Sequence, residues 1–412
     1  MNFKINLHRG WAIALACFLA HMVVTGSSQY SFGHFVAPLE SEFGWSRTQI
    51  GFSLSLIAFG FFISPFIGHL IDKHGARIIM STSLAIFGLS YLMRPFMTDT
   101  WHWYALGIIQ AFTMVGASML PTGKMVGLWF PKNRGKILSV TVMGANMGGI
   151  AMQPFLAFLV IYFGWKIGYA GAGILAILVA LYCFWVVRIP GPKFLSEQIE
   201  DNRGPLPVNY TLSGAMRTRL FYSIALAAMC GSFTYSAILP QLSTHLDING
   251  VPENTIAFAV TIFATCGMLG KFVFGIFSDR YGPRLSLIID LLGQCIFAFL
   301  LVYAGTQISI WFVVPFMGFF LGAFGALHQL IVMQSFGINH YGSIMGVIGI
   351  ANSIPAFIGP ILAGRSYDLT GDYALAFFAT AGIFFIGALS LIIGGKPIKN
   401  DTDMPQPYLA NT

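Results

Sequence analysis

Charge is scarce along this chain. Asp, Glu, Lys and Arg together make up 9% of its 412 residues, while hydrophobic residues make up 56% at a mean hydropathy of +0.74. A soluble globule of this length needs far more polar surface, so the chain has to be dissolved in lipid. Cysteine is sparse as well. Cys17, Cys183, Cys230, Cys266 and Cys295 stand singly inside apolar runs with no Cys-x-x-Cys pair. That pattern gives no metal-ligand spacing and suits small packing residues. No nucleophile, base and acid set and no nucleotide-binding loop stands out, which argues against an enzyme and implies neither cofactor nor metal.

What the chain has instead is long apolar runs. About twelve stretches of roughly 20 residues, the length that crosses a hydrocarbon core of roughly 30 Å, recur from end to end. They begin near Trp11, Thr48, Ile78, Trp103, Gly135, Lys166, Leu220, Pro252, Leu285, Ile308, Gly342 and Tyr373. Lys4 and Arg9 before the first run would suit a signal peptide, but the small residues Thr25 to Ser28 continue into aromatic and apolar residues up to Val36, which fits a retained helix better. With the N-terminus inside, sixteen of the 22 Lys and Arg fall on inner segments and only Arg47, Arg94, Lys166 and Arg365 on the other side. The positive-inside rule then puts both termini in the cytoplasm, with the chain spanning the cell (inner) membrane. Those loops account for the net charge of +7, and no nucleic acid is needed to explain it. Asn209-Tyr210-Thr211 matches a glycosylation acceptor but falls on an inner segment, where it reads as chance.

A ten-residue pattern occurs twice. Gly68, Asp72, Lys73, Gly75 and Arg77 recur as Gly275, Asp279, Arg280, Gly282 and Arg284, an offset of 207. Gly135 and Gly342 at the start of the fifth and eleventh spans keep the same offset, as do Gly164 and Gly371 near the sixth and twelfth. Each copy sits between two apolar runs, as a tight inner turn of a duplicated bundle. In such a turn glycine permits positive φ and close backbone approach, Asp meets the positive end of a neighbouring helix, and the cations anchor at headgroup level. The ten residues therefore read as conformational latches. The reading divides the chain into an N-terminal six-helix bundle (1–187), a Pro-rich polar joint (188–218), a C-terminal six-helix bundle (219–396) and a cytoplasmic tail (397–412). The substrate path is expected between the halves near midplane.

The doubled Gly-x-x-x-Asp-Lys/Arg-x-Gly-x-Arg turn resembles the signature of the major facilitator superfamily. The resemblance covers essentially the whole chain and implies an all-α membrane protein of twelve transmembrane helices in two pseudo-symmetric halves. Narrower matches resemble the monocarboxylate porters and the bacterial oxalate/formate-type antiporters. They are Gly10-Trp11, Ser31-Phe32-Gly33, Phe43-Gly44-Trp45-Ser46-Arg47, the run from Trp129 to Gly135, and Asp368 to Tyr373.

Polar groups at lipid depth are costly, and they are where the chemistry has to lie. Lys271 stands among Gly267, Gly270 and Gly275 in the eighth span. Monocarboxylate porters carry an arginine at the matching position, implicated in holding the substrate carboxylate; lysine keeps the charge and gives up the bidentate fork. The other reading of Lys271 is snorkelling toward Asp279. Lys124 is the second intramembrane cation, and two cations on one cavity would suit a carboxylate with a further polar group. The antiporter branch has another lysine in its eleventh span, which Gly342 to Gly364 lacks, so oxalate itself is disfavoured. Tyr30, with Ser28 and Gln29, Asn146, Gln153, Tyr235, His328, Gln329 and Asn352 complete the polar candidates, each otherwise an interhelical hydrogen bond. Asp290 and His328 are the candidate proton carriers, Asp290 being equally open to pairing with a cation. Mammalian monocarboxylate porters carry an Asp one turn before the arginine; here the position is Gly267, so the anion itself is an alternative proton carrier.

These features point to a monomeric secondary transporter moving a small carboxylate by alternating access, with protons as the coupling ion. The alternatives are an anion/anion antiporter and a non-transporting sensor of the same fold.

Overall fold

The computed structural model describes residues 2–191, 209–304 and 307–395. Most of the polar joint, with Pro192, Lys193, Arg203, Pro205 and Pro207, and the tail after residue 396 lie outside the described residues. Every regular element among those described is helical. Among the described residues, twelve helices are long and apolar enough to cross a bilayer. They are α1 Arg9–Tyr30, α2 Gln49–His74, α3 Ala76–Phe96, α4 Thr100–Trp129, α5 Arg134–Phe163, α6 Trp165–Val186, α7 Arg219–Ile248, α8 Phe258–Tyr281, α9 Pro283–Leu301, α10 Ser309–Phe336, α11 Tyr341–Thr370 and α12 Ala374–Ile393. Six precede the polar joint and six follow it, as the pattern of apolar runs leads one to expect.

The repeated turns are one residue long. Gly75 joins α2 to α3 at φ 85° and ψ 152°, and Gly282 joins α8 to α9 at φ 90° and ψ 148°. A side chain at that φ would be strained, which fixes glycine at both places. These turns define one end of the molecule, called here the turn face. At the opposite face a short helix, Gly33–Phe43, leads from α1 toward α2. Lys166 binds the Glu42 carboxylate at 2.8 Å, and the Trp165 indole N–H also donates to it. The hydrogen bonds from Lys166 and Trp165 hold Glu42 below the usual carboxylate range.

Several spans are not uniform α-helix. α1, α4, α5 and α7 each contain a π-helical turn, at Gly26–Tyr30, Val115–Met119, Gly148–Met152 and Thr234–Ile238. The turns of α1 and α7 occupy corresponding places in the two halves. A π turn widens the helix by one residue per turn and re-aims the side chains beyond it. Tyr30 and Tyr235 both lie in such turns, and both remain partly exposed.

Near the turn face the halves meet through glycine. A Cβ on Gly68 would run into the backbone of Gly342 and one on Gly342 into Gly68; Gly135 and Gly275 form the equivalent pair. These pairs again differ by 207 residues. Without side chains the α2 and α11 backbones, and those of α5 and α8, touch directly. Across the same boundary Met333 packs on Gly127. Gly68→Leu is therefore expected to open the turn face while leaving each six-helix half folded. In a variant lacking the native cysteines, Met333→Cys should label slowly with a water-soluble maleimide and many times faster once Gly68→Leu is added. Equal labelling rates would mean that the glycine contact does not hold this face closed.

Candidate functional site

Each repeated aspartate reaches across to the other half. Asp72 accepts from the backbone N–H of Gly342 (3.1 Å) and of Ser343 (2.7 Å), and from the Ser343 hydroxyl (2.8 Å). Asp279 accepts from the N–H of Gly135 (2.6 Å) and of Lys136 (2.9 Å). Donors and acceptors alike keep the 207-residue offset. The first N–H groups of a helix have no intrahelical partner and carry the positive end of its dipole, so a carboxylate placed there satisfies both. The arginines of the repeat act within their own halves. Arg77 donates to Phe184 O at 2.7 Å, at the end of α6, and Arg284 to Leu391 O, near the end of α12. They satisfy last-turn carbonyls, where a cation is favoured. Lys73 and Arg280 are exposed at the turn face.

The symmetry fails at Lys124. Its buried ammonium donates to Asp72 Oδ1 at 2.7 Å and to Ile71 O at 3.4 Å. Two cations facing one cavity was the expectation from sequence; the structure instead ties Lys124 into the Asp72 contact. An ammonium at lipid depth takes the nearest carboxylate, and the α2 to α4 packing supplies one. At the corresponding position of the second half stands Ile331, so Asp279 has no such partner.

Lys271 projects from α8 to the boundary between the halves. It is 7% exposed and donates to the Oδ1 of Asn146 on α5. It points to an amide of the other half and not to Asp279, which is bound to α5. His21 on α1 packs on Gly144 of α5 and lies within electrostatic range of Lys271, with its Nε2 lacking a partner. Sequence reasoning passed over His21; a histidine ten residues into the first span was the available signal. The ring of Tyr30 packs on Gly149 of the same helix as Asn146.

Other candidates lie within the C-terminal half. Tyr235 approaches Phe324 (ring centroids 6.5 Å). His328 stacks on Phe324 at 5.3 Å and is buried, with Nε2 unpartnered. Gln329 accepts from the Tyr341 hydroxyl at 3.2 Å, and Asn352 accepts from Ser232 at 2.9 Å. Asp290 is fully buried; its Oδ2 accepts from Gln294 at 2.8 Å and its Oδ1 has no partner. No cation lies within ion-pair distance of it among the described residues, so the pairing considered from sequence is replaced by an amide, itself bonded to Thr234. The structure thus brings Lys271, Asn146 and His21 together and keeps Asp290 apart from them.

The family model described as Major Facilitator Superfamily matches residues 14–249 and 221–406. The chain is 25% identical over 401 residues to the hexuronate transporter of Bacillus subtilis, covering 90% of this chain and 92% of that one. It is 23% identical to monocarboxylate transporter 13 of Rattus norvegicus, covering 93% and 88%. Among solved structures, the proton:xylose symporter XylE superposes with a TM-score of 0.78 over 95% of this chain and 97% of that one, at 15% identity.

The unequal surroundings of the two aspartates lead to a prediction. Asp72→Asn leaves the buried Lys124 without its anion, and breaking one partner out of a buried pair costs about 3–5 kcal/mol. Asp279→Asn weakens hydrogen bonds to backbone and the attraction of the nearby Arg134 and Lys136, but Arg134 keeps its bond to Gly127 O and no buried cation is left without its anion. Asp72→Asn should therefore lower the melting temperature of the purified protein clearly more than Asp279→Asn does, and the double variant Asp72→Asn with Lys124→Met should recover part of the loss. Equal destabilisation by the two single variants would show that the Lys124 pair adds nothing.

Proposed function

The chain belongs to the Major Facilitator Superfamily, and from that premise we propose that it is a secondary transporter of a small carboxylate anion, working by alternating access with a proton as the coupling ion. The observation that carries this reading is Lys271. Its ammonium is buried at the boundary between the halves, bonded to a neutral amide, with no carboxylate within ion-pair distance among the described residues. A buried cation without a counter-ion is unfavourable, and a substrate carboxylate removes the penalty. Hexuronates and monocarboxylates, the groups named in the two relatives, share that carboxylate. A lysine holds it as a point charge, tolerant of the approach angle, where an arginine would impose two parallel hydrogen bonds.

The contacts across the boundary support alternating access. Asp72, Asp279 and the glycine pairs close the turn face, which the distribution of basic residues makes the cytoplasmic one. Reorientation has to break these contacts and the bond between Lys271 and Asn146 together. A bound anion favours that exchange when it takes over Asn146 as the partner of Lys271. Substrate contacts beyond the charge fall to Asn146 and Tyr30 from one half and Tyr235, His328 and Asn352 from the other. The proton has Asp290 and His328 as carriers, or travels on the anion. The protein acts as a monomer in the cell (inner) membrane with both termini in the cytoplasm.

Uptake of radiolabelled carboxylates into proteoliposomes tests the site. Lys271→Gln should lower uptake roughly 10- to 100-fold, as expected for the loss of a hydrogen bond to a charged group worth about 1.5–3 kcal/mol, with abundance unchanged. Lys271→Arg should retain part of the activity. Normal uptake by the Gln variant would return Lys271 to a packing role.

Coupling is tested by an imposed pH gradient. A more acidic outside should drive accumulation above equilibrium, and an uncoupler should collapse it. Asp290→Asn or His328→Gln, tested separately, should abolish pH-driven accumulation while preserving exchange at whichever residue carries the proton, because exchange needs no net proton movement. Wild-type transport that ignores the gradient and requires an anion on the far side would replace symport by antiport.

A further inference from the structure

Besides Lys124, the N-terminal half contains a buried cation that differs from Lys271 in kind and in surroundings. Arg94 closes α3 at the face opposite the repeated turns. The sequence placed it on a connecting segment, yet it is 3% exposed. Its guanidinium lies 4.3 Å from the ring of Trp103 and 4.9 Å from each of Tyr91 and Tyr169. Nη2 donates to Gln110 Oε1 at 2.6 Å and Nη1 to the Tyr169 hydroxyl at 3.3 Å. Both acceptors are neutral. No carboxylate stands within ion-pair distance among the described residues, and Nε has no acceptor at all.

This arginine opens onto a narrow recess that it lines together with Ser27, Ser28, Ser53, Gln110 and Tyr169. Two of the lining groups are buried donors with nothing to bind: Arg94 Nε and the Ser27 hydroxyl. Ser28 and Ser53 already donate to carbonyls of their own helices. Aromatic faces attract the guanidinium but accept few of its five N–H bonds. A permanently charged group of this kind, desolvated and left with spare donors, has the composition of an anion site lacking its anion. The recess has room for one water-sized occupant, about 10 Å³, which disfavours sulfate and other bulky anions.

We propose that this recess binds a small monovalent anion, a halide or the carboxylate group of a short acid. Its walls come from α1, α2, α3, α4 and α6, all within one half, so occupancy does not wait on the opening or closing of the central path. Ser27 belongs to the π-helical turn of α1 that also carries Tyr30, so the anion would fix the segment that presents Tyr30 to that path. The site is independent of the role assigned to Lys271.

The test uses the full chain purified in detergent in a sulfate buffer free of halide and carboxylate. Chloride, iodide and formate are each titrated in, with thermal unfolding and tryptophan fluorescence as readouts. Trp103 lies against the guanidinium, so bound iodide should quench it saturably, and excess chloride should reverse the quench. Arg94→Gln should remove both the quench and the halide-driven stabilisation, and Lys271→Gln should keep both; because Lys271 is the proposed carboxylate anchor of the central path, the formate titration is read in the Lys271→Gln background. Ser27→Ala, in case the arginine variant fails to fold, should weaken binding about tenfold. Trp103→Phe should lose the saturable quench and keep the stabilisation. A response to formate alone assigns the recess to carboxylates, one to halides alone assigns it to inorganic anions, and either supports the site. Linear, unsaturable quenching without stabilisation overturns it, as does a halide response that survives Arg94→Gln or is lost with Lys271→Gln, or a formate response in the Lys271→Gln background that survives the addition of Arg94→Gln.

Discussion

The structure depends on one kind of contact, a carboxylate in one half bound to the unpaired N–H groups that open a helix in the other. Those N–H groups are a built-in deficit of every helix. At the membrane boundary the deficit can be met by water, by a cap within the same half, or by the partner half. Asp72 and Asp279 choose the third solution, and so make closure of the turn face the state in which all of these groups are bonded. Opening that face replaces protein acceptors by water, which is nearly as good a partner. The contact therefore holds the closed state without making the open one inaccessible, the balance that a conformational cycle needs.

The remaining residues of the repeat serve that contact. Glycine at 68, 135, 275 and 342 lets the backbones come close enough for a short carboxylate to span the boundary. Gly75 and Gly282 turn the chain within one residue, so each aspartate is followed at once by the next span. Arg77 and Arg284 tie the start of that span to the last carbonyls of α6 and α12, fixing the aspartate's helix within its own half. These contacts tie each helix within its own half, so the proposed cycle would change contacts at the boundary between the halves.

Much of this was legible in the sequence because the constraints are local and occur twice. The twelve spans follow from composition, and the starts read from the apolar runs lie within a few residues of those observed, apart from the eighth, whose helix runs back to Glu253 beside the expected Pro252. What the sequence could not show depends on reach in three dimensions. Lys124 and Asp72 are 52 residues apart, and nothing in the pattern says that the ammonium turns toward that carboxylate. Arg94 follows the third apolar run and looks like a loop residue; only the convergence of Tyr91, Trp103 and Tyr169 makes burial tolerable. The π-helical turns were hidden for another reason. Their residues, mostly Gly, Ala, Ser and Met in α1, α4 and α5, are compatible with an ordinary helix, and packing decides the difference.

The departures from the repeat carry a further lesson. Where the two halves share a residue at the 207 offset, it builds the scaffold. The ionisable groups at lipid depth do the opposite: Lys271 corresponds to Ser64, Lys124 to Ile331, Arg94 to Leu301, Asp290 to Ser83 and His21 to Ala228. None has a charged counterpart. A symmetric pair of cations on the boundary would repel each other in the closed path and would hold an anion midway, bound equally to both halves. In the transport cycle proposed above, a single cation on α8, facing an amide on α5, would leave the anion attached to one half while the other moved past it. On that proposal, asymmetry of charge on a symmetric frame would allow the halves to exchange their contacts around a bound ion without having to release it midway.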